Sequence, residues 1–108
     1  MQRALVYEKY KGPLQIKSIP IPKPKDDEII VRIHYSGICH SDLHGWLGDW
    51  AEYCTLPVIG GHEGAGEVVK VGAKVNSWNN GDKAGIRVYL FIVPVSLNLD
   101  LKQLLLCL

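Results

Sequence analysis

Apolar and polar residues alternate most cleanly over Ile29–Tyr35, where Val31, Ile33 and Tyr35 interleave with Arg32 and His34. A period of two assigns the two sets to opposite faces of a strand, so the apolar set is expected to face a core. Shorter apolar runs at Arg3–Tyr7 and Leu14–Ile19 predict two further strands, joined through Lys11-Gly12-Pro13 as a turn. Pro20, Pro22 and Pro24 then alternate, and their missing backbone donors oppose both helix and central strand. That stretch is expected to be extended and exposed along an edge. From Ser36 to Gly61 no period holds, and the reading there is a loop carrying one short helix around Ser41–Leu47. Gly64–Val71 predicts another strand, in which Gly64, Ala65 and Gly66 would allow close approach of a second backbone or a ligand. Asn79-Asn80-Gly81-Asp82 is a strong turn signal, and a last strand begins near Lys83. With no long amphipathic helix before residue 86, the fold class is mainly β, a barrel-like arrangement of short strands.

Composition changes this picture in one respect. The 108 residues suffice for one domain. Twelve Lys and Arg against eleven Asp and Glu give a net charge of +1, which argues against a nucleic-acid binder or a polybasic membrane binder. All eleven Gly lie at or before Gly85, however, whereas eight of thirteen Leu follow Tyr89. The boundary this suggests separates residues 1–86 from a hydrophobic tail, 87–108. Ser96, Asn98, Asp100, Lys102 and Gln103 interrupt that tail, so no membrane span is expected. Three cysteines, Cys39, Cys54 and Cys107, cannot all pair within the chain, and the first residues lack a signal-peptide core. Both observations point to a reducing, cytoplasmic compartment.

The chemistry concentrates in Cys39-His40-Ser41-Asp42-Leu43-His44 and, some twenty residues on, Gly60-Gly61-His62-Glu63-Gly64. Thiolate, imidazole and carboxylate are zinc donors, and Cys39 with His62 would supply two of them from separate loops. Asp42 is placed to accept a hydrogen bond from the other nitrogen of a ligating imidazole. The same residues also fit a polar loop with surface histidines and one buried thiol. Cys54 reads as a small buried hydrophobe, Trp46 as packing and His34 as an exposed side chain.

Together with Trp46, Gly48-Asp49-Trp50, Leu56-Pro57 and the run to Gly66, these motifs closely resemble the N-terminal part of zinc-dependent medium-chain alcohol dehydrogenases, most of all the fungal ethanol-type enzymes. Gly61, His62, Glu63, Gly66, Gly72 and Val75 satisfy each position of that family's zinc signature. The resemblance implies a GroES-like barrel, a catalytic zinc, NAD as hydride acceptor, and short primary alcohols or aldehydes as substrates of homo-oligomeric enzymes. By the same resemblance Cys39 and His62 are zinc ligands, Glu63 is an alternate ligand, and Asp42 is the carboxylate partner of the ligating imidazole. Ser41 would take the alcohol proton, His44 would release it to solvent, His40 would approach the cofactor pyrophosphate, and Trp50 would narrow the pocket.

Several family parts have no counterpart among these residues. The third catalytic zinc ligand, a downstream cysteine in the family, the four-cysteine structural zinc lobe and a Gly-x-Gly-x-x-Gly dinucleotide fingerprint are missing. The resemblance ends near Ile86. The expectation is therefore an incomplete GroES-like barrel with an incomplete zinc set and no NAD platform, inactive by itself. A non-enzymatic metal-binding or interaction module that retains the zinc loop is the alternative.

Overall fold

A computed structural model describes residues 1–86 in full and residues 104–107 as backbone. Apart from that short piece, the expected non-family tail lies outside the described residues.

Near the N-terminus, β1 (Gln2–Tyr7) and β2 (Gln15–Ile19) pair antiparallel, with Gln2 opposite Ile19 and Val6 opposite Gln15. Ala4 and Val6 are buried and Leu5 between them is exposed, as alternation on a pleated strand requires. The turn between the strands places Lys11 at φ 59°, a conformation that non-glycine residues adopt uncommonly. After the prolines, β3 (Ile29–Gly37) leads into α1 (His40–Leu47), and β4 (Val58–Ile59) then pairs with the free side of β1. The first sheet thus has the order β2-β1-β4.

The second sheet is built on β3 and β5 (Glu63–Val71), which run antiparallel. On the far side of β5 lies β6 (Lys83–Gly85), and on the far side of β3 the backbone of β7 (Leu104–Cys107) pairs in parallel, giving the order β6-β5-β3-β7. The described residues are mainly β, and among them the two sheets do not close into a complete barrel. Ile29, Val31, Val68, Val75 and Ala84 form the buried core, with Ile33, Val71, Trp78 and Ile86 packed around it.

The expected approach of a second backbone is met at Gly66, by β3, whereas Gly64 faces side chains. A Cβ at Gly66 would overlap the Arg32 carbonyl oxygen, and one at Gly64 would lie 2.8 Å from Ile86 Cγ1 and 3.1 Å from Ile33 Cδ1.

One expectation from alternation fails. Tyr35 does not share the buried face with Val31 and Ile33; it is 81% exposed. Ile33 pairs with Gly66 and Tyr35 with Ala65, so His34 is an extra residue on β3 at that point. A bulge of this kind reverses the facing of every later side chain. His34 itself is exposed, as its position in the alternation suggested.

Two turns secure the sheet. Glu28 is buried, and its carboxylate accepts the Lys25 N–H at 2.8 Å and lies 3.4 Å from the Lys25 ammonium. A buried acid without such partners would be costly. At the expected Asn79–Asp82 turn, Asp82 accepts the Asn79 N–H at 2.8 Å, and Gly81 takes φ 95°, a region that glycine enters without steric cost.

Candidate metal centre

The β3–β5 register explains why two distant loops meet. Ser36 lies opposite Gly64 and Gly37 opposite Glu63, so the chain leaves β3 where it enters β5. Cys39 follows the end of β3 and His62 precedes the start of β5. Their side chains converge, with Sγ and Nε2 3.0 Å apart. A Cβ at Gly37 would meet the Glu63 carboxylate, so a side chain there would displace the far end of Glu63. Gly61, just before the histidine, takes φ 103°.

Cys39 is the N-cap of α1 in an extended conformation, and Asp42 sits on the first turn of that helix. Asp42 joins the two loops. One oxygen, Oδ2, accepts the Cys39 N–H at 2.9 Å, while Oδ1 accepts the Gly61 N–H at 3.2 Å and lies 3.3 Å from His62 Nδ1. A carboxylate at Nδ1 holds the proton there and leaves the Nε2 lone pair directed at Cys39.

Donor atoms of Cys39, His62 and Glu63 all lie within 4.8 Å of one another; Cys39 and His62 are half-buried and Glu63 is exposed. The donor set suits zinc. With Zn–S near 2.3 Å and Zn–N near 2.05 Å, a tetrahedral angle sets S and N about 3.6 Å apart. The observed 3.0 Å is the spacing of a thiol–imidazole hydrogen bond, and an opening of roughly half an ångström would admit the ion. The residues present fit the metal. Beside His62, a cleft of about 140 Å³ is bounded by Ile19, Ile33, Ser36, Ile59 and Gly60 among others.

The remaining sequence-predicted residues lie on or beside α1. Ser41 is its second residue and is half-buried. His40 and His44 share one face, their ring centroids 4.7 Å apart at 72°. Trp50 stacks on His44 at 5.2 Å and 28°, and is itself 40% exposed. Neither Ser41 nor Trp50 lines the cleft beside His62.

Sequence reasoning missed Asp49, whose Oδ2 lies 2.7 Å from His44 Nδ1; a five-residue offset across a helix end carries no recognisable spacing. It also missed the clamp that seats α1. Trp46 Nε1 donates to the Gly12 carbonyl at 2.7 Å, Lys11 N–H donates to the Trp46 carbonyl at 2.8 Å, and Tyr10 Oη donates to the Cys54 carbonyl at 2.7 Å. Trp46 is packing, as its reading predicted. Cys54 is half-buried near Tyr7 at the back of Gly45. Burial, and then the neighbouring Cys54, Tyr10 and Asp42, pushes the Tyr7 hydroxyl above its ordinary pKa.

Comparison with known proteins places this arrangement. The family profile described as "Alcohol dehydrogenase GroES-like domain" matches residues 25–96. Alcohol dehydrogenase 1 of Caenorhabditis elegans is 56% identical over 90 residues, 83% of this chain and 26% of its own length. Among solved structures, the apo form of zinc dependent alcohol dehydrogenase 2 from Streptococcus pneumonia superposes with a TM-score of 0.72 at 36% identity, over 81% of this chain and 25% of that one. CAD from Helicobacter pylori, complexed with NADP(H), gives a TM-score of 0.72 at 28% identity, over 79% of this chain and 24% of that one. The chain spans about a quarter of the length of the relatives it matches.

Proposed function

The chain belongs to the alcohol dehydrogenase GroES-like domain family, and on that premise we propose that it is the zinc-binding part of an oxidoreductase interconverting short primary alcohols and aldehydes with NAD. The observation that carries this reading is the convergence of Cys39, His62 and Glu63, with Asp42 bonded to both ligand loops. The cytoplasm is part of the same proposal, because a thiolate ligand needs a reducing compartment.

Cys39, His62 and Glu63 would hold the zinc. When bound, zinc supplies Lewis acidity that lowers the pKa of an alcohol, and NAD supplies the hydride acceptor. The protein's own residues do the rest. Asp42 fixes the His62 tautomer and holds both ligand loops in register. Ser41 takes the alcohol proton, and His44, with 36% of its side chain exposed, releases it to solvent. An imidazole suits that step because its unperturbed pKa lies near neutrality. Asp49 steadies the His44 ring through Nδ1. By the family resemblance, His40 would contact the pyrophosphate of a bound cofactor and Trp50 would narrow the approach to small substrates.

We further assign residues 1–86 to the family part and propose that this chain, assayed alone, does not turn over. Within its 108 residues there is no counterpart of the family's third zinc ligand and no dinucleotide fingerprint. Two or three ligands bind zinc less tightly than a complete set. The test is to purify the chain, measure zinc stoichiometry and follow NAD reduction with ethanol. Weak zinc binding that depends on Cys39, without NADH formation, is expected. Appreciable turnover would overturn the claim of inactivity, and tight zinc without turnover would favour a non-enzymatic metal-binding module.

A further inference from the structure

We propose that His40 and His44 form a second metal site, a two-imidazole chelate for a borderline divalent cation such as Ni²⁺, Cu²⁺ or Zn²⁺, on the outer face of α1. Neither residue belongs to the Cys39–His62–Glu63 cluster. Imidazole donors without a thiolate favour this group of cations.

Four observations lead to it. The two histidines are four apart on one helix, the spacing at which side chains stand one turn above each other on a single face. Their rings are already at chelating separation. For a metal–nitrogen bond of about 2.05 Å, each ring centre sits roughly 3.2 Å from the ion, and an N–metal–N angle of about 90–109° separates the centres by about 4.5–5.2 Å. The observed separation is 4.7 Å. Next, Asp49 Oδ2 engages His44 Nδ1 at 2.7 Å, which fixes the proton on that nitrogen and leaves the Nε2 lone pair for a ligand. Finally, the site is open to an ion. His40 is exposed and His44 keeps 36% of its side chain accessible, while the Trp50 ring stacked on His44 limits its rotation.

A cation held here would tie up the two imidazoles that the proposed function gives to the cofactor and to proton release. The binding itself does not depend on that reading.

Trp50 makes the test direct. Ni²⁺ is titrated into the 108-residue chain carrying Cys39→Ser, which removes the thiolate of the first cluster, and tryptophan fluorescence is followed. Saturable quenching by one equivalent is expected. His40→Asn or His44→Asn should weaken it by at least about tenfold, the loss that follows when a second, tethered donor is removed. Asp49→Asn should weaken it by about tenfold through loss of the orienting carboxylate. Unchanged affinity in His40→Asn, loss of binding in His62→Asn, or no saturable binding would overturn the proposal. Histidine-selective NMR of the Cys39→Ser chain, with all four histidines intact, gives a second readout. Ni²⁺ should broaden His40 and His44 first, and earlier broadening of His62 or His34 would overturn the assignment.

Discussion

Asp42→Asn separates the two duties of one carboxylate. In the native protein Oδ2 serves the Cys39 N–H at 2.9 Å, and Oδ1 serves the Gly61 N–H at 3.2 Å and the His62 ring at 3.3 Å. An asparagine has one acceptor oxygen. If that oxygen faces Cys39, the amide NH₂ meets two other donors, Gly61 N–H and His62 Nδ1–H. If it turns the other way, the helix loses its N-terminal bond. Either orientation forfeits one charge-assisted bond and opposes like donors, so stability should fall by about 1–2 kcal/mol. Zinc affinity should fall by about 10–100-fold, because the imidazole loses the partner that sets its tautomer. Urea unfolding reads the first effect, and competition against a chromogenic chelator reads the second. Asp27→Asn, at an exposed position of the turn before β3, serves as the control for loss of one charge. If Asp42→Asn bound zinc within about twofold of the parent and unfolded at the same urea concentration, the bridging role would be wrong.

Four further outcomes follow from particular positions. Gly66→Ala places a methyl against the Arg32 carbonyl and 3.0 Å from Ile33 Cα, all backbone, so it should cost about 1–3 kcal/mol or more. Gly85→Ala meets nothing within 4 Å and should be near neutral in the same urea experiment. Trp46→Phe removes the bond to the Gly12 carbonyl and should cost about 1 kcal/mol while loosening α1, read by hydrogen exchange of the helix amides. Tyr7 has a folded pKa above its ordinary value of 10.0, so the folded state holds its proton longer than the unfolded one. Its contribution is complete below pH 10 and falls as pH rises through 10.0 toward the raised value; Tyr7→Phe should remove that part of the alkaline loss in pH-dependent melts.

The sequence carried much of the fold because most strands have local signatures. Alternation marked β3, and Asn79-Asn80-Gly81-Asp82 marked the turn between β5 and β6. The exposure of Tyr35 was not legible, since a bulge depends on how β3 meets β5 rather than on either strand by itself. The candidate site divides in the same way. Cys39 and His62 stand out as donor types on separate loops and Glu63 through the family resemblance, and the β3–β5 register brings the three together. Asp49 and Tyr10 act through contacts across loop connections, where no periodicity links the partners. Asp42 was visible as a partner for the imidazole, whereas its bonds to the Cys39 and Gly61 amides emerge only from the fold.

The central claim is a metal centre with Cys39 as its sulfur ligand and His62 as its nitrogen ligand. Cobalt tests it most directly, because Co²⁺ takes zinc's tetrahedral geometry and absorbs where bound to thiolate. Titrating Co²⁺ into the reduced chain should produce a near-ultraviolet sulfur-to-cobalt charge-transfer band. That band should vanish in Cys39→Ser, persist in Cys54→Ser and weaken in His62→Asn. Cobalt bound without the band, or a band that survives Cys39→Ser, would contradict the account.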